Sequence, residues 1–133
     1  MDSRHISEQY TELAKQVIEE NPELEYLRTA PVTIIFLAST HKKKGKGKSV
    51  YGQCEKVQEK NKWGIPADFT ITIFEPNVAG MTEEQLKILL FHELLHVGRD
   101  YESITPHDLE DFKIIVDRYG VDWAKHEEPG KKH

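Results

Sequence analysis

The chain has 133 residues, 38% of them hydrophobic and 31% charged, with a formal net charge of −5. These figures describe one soluble globular domain long enough to bury a core, and the acidic balance argues against a general nucleic-acid binder. A single cysteine, Cys54, excludes an intrachain disulfide and a CxxC metal site.

No apolar run is long enough to span a bilayer, and Met1-Asp2-Ser3-Arg4-His5 is not followed by the apolar core of a signal peptide. A cytoplasmic location without membrane contact is expected. The expected organisation is one domain over 1–124 and a polar, disordered tail over 125–133.

From Ile6 to Glu20, apolar residues at Ile6, Tyr10, Leu13, Ala14, Val17 and Ile18 recur at three- and four-residue spacing. This predicts an amphipathic helix, stopped by Asn21-Pro22, with a short turn over Leu24–Leu27. Pro31–Thr40 is β-branched and apolar on both faces, which predicts a central strand.

The basic run Lys42, Lys43, Lys44, Lys46 and Lys48 is then expected to form a solvated hairpin tip. Its end, Gly47-Lys48-Ser49, resembles a Walker A, but that motif needs glycine at position 42, which is Lys. These lysines are also the one place where the chain offers itself to nucleic acid or another polyanion. Val50–Val57 reads as the returning strand. Asp68–Phe74 alternates Phe69, Ile71 and Ile73 with threonines, which predicts a half-exposed edge strand able to pair with a peptide main chain.

Thr82 and Gln85 form a capping box at the start of an apolar helix that carries His92-Glu93-x-x-His96. Residues four apart share a helix face, so His92 and His96 can offer imidazole nitrogens to one metal ion, with Glu93 turned toward its water. Gly98 is expected to end this helix as a C′ residue. A second helix starts at Thr105-Pro106-His107-Asp108, buries Leu109, Phe112, Ile115, Val116 and Tyr119, and stops at Gly120.

A catalytic zinc needs a third protein ligand. Among Asp100, Glu102, His107, Asp108, Asp111 and His126, the residue best placed is His107, in the first turn of the second helix. The metzincin spacing is not met, since Gly is at 98 rather than 99 and position 102 is Glu. Asp111, one turn after His107, can accept the hydrogen bond that fixes an imidazole tautomer.

The run HELLHVGRD followed by TPHDLEDFKIIVDRYGVDW, preceded by ADFTITIFEPN and TEEQLKILLF, resembles the phage-type metallopeptidase family, small zincin-like HExxH proteins of phage and bacterial genomes. The likeness runs from about Ala67 to Trp123. It implies an α+β, zincin-like fold: a small mixed or antiparallel sheet packed on an N-terminal helix and the HExxH helix, followed by a C-terminal helix. It also implies a zinc-dependent peptidase acting on a peptide or protein, with His92, His96 and His107 as ligands and Glu93 as general base.

Tyr101, Tyr119 and Arg99 are candidates for stabilising the oxyanion. The alternative is a non-catalytic zinc-binding module, closed by a fourth ligand such as Cys54, His126 or Asp111, whose basic loop 42–48 docks a partner or nucleic acid.

Overall fold

The computed structural model describes residues 4–29, 32–45, 48–59, 63, 64, 66–106, 113–120 and 123. Expectations for the tail over 125–133 and for His107, Asp111 and His126 concern residues outside this set. The described part is α+β, built around a mixed four-stranded sheet.

Strand β1 (Arg4–Ile6) leads into helix α1 (Glu8–Glu20). The helix begins two residues later than the apolar spacing suggests. The Ser7 hydroxyl accepts from the Tyr10 amide as N-cap, which leaves Ile6 to the strand, where it is 65% exposed. A 3-10 helix over Pro22–Leu27 follows, and then β2 (Ile34–Ser39).

The basic stretch is itself a small antiparallel hairpin, β3 (Lys44–Gly45) and β4 (Lys48–Ser49). Strand β5 (Gly52–Lys56) and β6 (Phe69–Phe74) complete the sheet. One turn of helix, α2 (Glu75–Val78), follows β6 directly. The capped helix α3 (Glu83–Leu95) and the C-terminal α4 (Lys113–Tyr119) follow.

Spatial order in the sheet is β1-β2-β6-β5, with β2 parallel to β6 and both outer pairs antiparallel. This corrects the reading of Asp68–Phe74 as a half-exposed edge. Strand β6 lies between β2 and β5, and each of its residues is buried. The threonine face is covered by its neighbours: Thr72 stands level with Leu37 on one side and Gln53 on the other. The Arg4 guanidinium then spans that face, donating to the Thr72 hydroxyl (3.4 Å) and pairing with Glu55 (3.5 Å). Short side chains in the middle of a sheet are thus buried by long ones from the strands beside them. The edge next to β6 is β5.

On the opposite face Phe36, Ala38, Phe69, Ile71 and Ile73 meet α1 and α3, which also pack on each other. Burying each of the Phe and Ile side chains in this set is worth about 1.5–3 kcal/mol. Helix α3 is apolar nearly all round because β5, α1 and α4 enclose it; Arg118 of α4 lies over the Phe91 ring at 5.4 Å.

Gly98 does not act as a left-handed C′ residue. Helix α3 ends at Leu95 with His96 as C-cap, and the positive φ of this region belongs to Tyr101 (62°). Glycine is required at 98 by space, because an added Cβ would lie 2.8 Å from the Ser103 carbonyl and 2.4 Å from its hydroxyl. Gly120, by contrast, has φ 83° and ends α4 as expected.

Candidate metal centre

The last turn of α3 brings the two histidines together. His92 Nε2 and His96 Nε2 are 3.3 Å apart, with the rings nearly perpendicular at 71°. Two nitrogens held about 2.0–2.1 Å from one tetrahedral zinc stand roughly 3.3–3.4 Å apart, so the pair fits a shared ion of that kind. His96 Nδ1 donates to the Thr105 carbonyl at 2.7 Å. That bond places the proton on Nδ1 and leaves the Nε2 lone pair directed at His92, as a histidine ligand requires.

Thr105 is in turn held by its own amide, which donates to the His96 carbonyl at 2.6 Å. The chain between them is a tight reversal: Val97 bridges Ile104, and the Gly98 amide donates to the Ser103 carbonyl. The Asp100 carboxylate caps it by accepting from the amides of Glu102 and Ser103 (both 2.9 Å), which holds its pKa below the ordinary value. This reversal returns the chain past His96 just before His107, which lies outside the described residues.

Glu93 is 4% exposed, and its Oε2 lies 4.0 Å from His92 Nε2. A carboxylate is costly to bury, and one placed beside two histidines is a candidate for chemistry. Its wall on the sheet side is the backbone of β5. A Cβ at Gly52 would lie 3.2 Å from Oε2 and 3.3 Å from Cδ and Cγ, so glycine lets the strand and the carboxylate meet without crowding. On the other side, Trp123 stands 6.4 Å from the His92 ring, with its carbonyl accepting from Gln85 Nε2. Trp123 is partly buried and packs back against the core.

The helix end is fixed from below by Tyr26 in the 3-10 helix. Its hydroxyl donates to the Val97 carbonyl, and burial pushes its pKa up to about 12 against the opposing pull of Arg99, whose guanidinium lies 4.6 Å over the ring. The Tyr101 hydroxyl donates to the Tyr26 carbonyl at 2.8 Å, so in this geometry its proton is already placed. Tyr119 lies on α4 and is 36% exposed. Cys54 faces α3 from β5; burial, then the nearby Glu93 carboxylate, pushes its thiol well above the ordinary value.

Among the described residues no group of three or more His, Cys, Asp or Glu side chains is arranged to hold one metal ion. Three contributors were absent from the sequence reading: Gly52, the Thr105 carbonyl and Tyr26. A lone glycine inside a strand pattern was a usable signal for the first. The other two act through backbone and long-range contacts that leave no local mark.

The fold and site together define a small α+β protein with a paired-histidine helix and a buried glutamate against a sheet edge. The chain belongs to the family described as putative phage metallopeptidase, which matches residues 4–128. No curated protein and no solved structure matches the chain significantly. No described helix is long and apolar enough to cross a membrane.

Proposed function

We propose that this protein is a zinc-dependent metallopeptidase of zincin-like architecture, with His92, His96 and His107 holding the metal and Glu93 as general base. The observation that carries the reading is the 3.3 Å approach of the two Nε2 atoms with the buried Glu93 carboxylate beside them. A zinc ion held there would lower the pKa of water toward neutrality and polarise the scissile carbonyl.

The protein's own groups do the rest. Glu93 takes the proton of the attacking water and returns it to the leaving amine. The Thr105 carbonyl keeps the His96 tautomer fixed while this happens. Gly52 and the core around α3 limit water around the 4%-exposed carboxylate, which strengthens its interactions.

Substrate main chain is held on β5, the strand at the sheet edge. Tyr51 accepts from the Phe74 amide and Val57 donates to the Asp68 carbonyl, so the odd-numbered residues of this segment face β6. The alternation of an antiparallel pair then turns the N–H and C=O groups of Gly52, Cys54 and Lys56 outward. An extended peptide can pair with them, beginning beside Glu93. The edge-strand role expected of Asp68–Phe74 passes to β5.

The test is a zinc-loaded Glu93→Gln variant. Zinc content by elemental mass spectrometry is expected to stay near one per chain, while hydrolysis of a peptide library falls at least about 10²-fold. Undiminished turnover in that variant would end the mechanism, and a chain that takes up no zinc would end the metallopeptidase reading.

A further inference from the structure

The lysine-rich hairpin lies at the same end of the sheet as Glu93. Strands β2 and β6 run parallel and both end there, and the chain crosses from one to the other edge of that pair through β3 and β4 before entering β5 at Gly52. The hairpin is anchored. Asn77 Nδ2 donates to the carbonyls of Lys43 (2.8 Å) and Val50 (2.7 Å), and the Val50 amide donates back to Lys43 (2.9 Å). Lys43 itself is used structurally, donating to Gln53 Oε1 and lying 5.5 Å over the Phe74 ring. Its neighbours Lys42 and Lys44 are exposed.

Charge is concentrated there as well. Five of the chain's 18 Lys and Arg residues fall between positions 42 and 48, with no acid among them, in a protein of net charge −5. Ser49, level with Lys44 in the hairpin, is three residues before Gly52. At ~3.3–3.6 Å per residue that is roughly 11 Å at most, about three residues of extended peptide.

Direction follows from β5. Antiparallel pairing is the more stable arrangement, and a peptide antiparallel to β5 runs from Lys56 past Gly52 toward the hairpin. We infer that Lys42 and Lys44 form a selectivity rim that favours acidic residues on the C-terminal side of the scissile bond, making acidic polypeptide segments the preferred substrate class. This rests on the metallopeptidase reading. An acidic peptide fits better than nucleic acid because the rim continues an edge whose main-chain groups face away from β6, and no aromatic residue is interleaved among positions 42–48 on which bases stack.

The experiment is binding, measured by fluorescence anisotropy on the zinc-loaded Glu93→Gln protein. Three labelled nonapeptides are compared: three glutamates in the C-terminal third, the same glutamates in the N-terminal third, and glutamines throughout. The C-terminal acidic peptide is expected to bind about 5- to 20-fold more tightly than the glutamine peptide, at about 2- to 5-fold per exposed pair. The preference should shrink in high salt and disappear in Lys42→Glu/Lys44→Glu, whose melting temperature reports that it folds.

Equal binding of all three peptides, preference for N-terminal acids, or displacement of the peptide from these lysines by an oligonucleotide at lower concentration would each overturn the inference. Wild-type protein that cleaves without regard to charge would sink the rim and leave the peptidase intact. Charge-selective binding with no cleavage by zinc-loaded wild type would do the reverse.

Discussion

Replacing Gly52 by alanine tests whether the sheet edge sets the position of the general base. The added Cβ meets Glu93 Oε2 at 3.2 Å and its Cδ and Cγ at 3.3 Å, against an ordinary contact of 3.4 Å or more, so the outer half of the side chain must give by a few tenths of an ångström. Glu93 is 4% exposed, and it cannot simply swing into solvent. If a displacement of 1 Å costs about 10²-fold, a few tenths costs roughly 2.5- to 6-fold in kcat, or about 0.5–1 kcal/mol in the barrier.

The main-chain groups at position 52 are retained, so KM should change little. The unfolded chain loses freedom, which by itself stabilises by about 0.4–1 kcal/mol. Steady-state kinetics on a quenched peptide, with zinc content and thermal melting alongside, should therefore show lower kcat at unchanged KM and metal content, with stability near wild type because the tight contact with Glu93 offsets that gain. The coupling can be isolated with Glu93→Asp, whose shorter side chain leaves room for the methyl: Gly52→Ala should cost less in that background. An unchanged kcat, or equal costs in both backgrounds, would refute the reasoning.

Tyr26→Phe removes the donor to Val97 at the end of the histidine helix and should cost about 1–2 kcal/mol, seen as a melting temperature lower by about 3–8 °C. Gly98→Ala drives a Cβ against the Ser103 carbonyl and should destabilise by about 1–3 kcal/mol in denaturant titration, with weaker zinc binding because the same reversal carries Thr105 to His96. The Cys54 thiol, held protonated by burial, should resist iodoacetamide at pH 8 in the native state and react on unfolding. Above its ordinary value of 9.0 the unfolded chain releases this proton and the native chain keeps it, so stability should fall as pH rises; Cys54→Ala should flatten that slope in pH-dependent melts.

The local features of the site were legible because each is a short-range pattern. Thr82 and Gln85 announce the start of α3, the apolar circumference announces its burial, and four-residue spacing puts His92 and His96 on one face. These depend on helix geometry alone, so the sequence by itself determined them, along with the α+β class and a strand within Pro31–Thr40, which the structure bounds at Ile34–Ser39.

Which strand forms the edge was decided elsewhere. The alternation of Phe69, Ile71 and Ile73 with threonines looks like a one-sided strand, yet Arg4, Gln53 and Leu37 cover the polar side from other strands. Pairing order is a property of the whole sheet and has no period of its own in the chain. For the same reason only the tertiary structure could show that Gly52 stands against Glu93, that the Thr105 carbonyl orients His96, and that Tyr26 holds the helix end from 71 residues away. A sequence records which groups are present; the close approaches between them arise only when separate elements pack, since packing rather than propensity sets those distances.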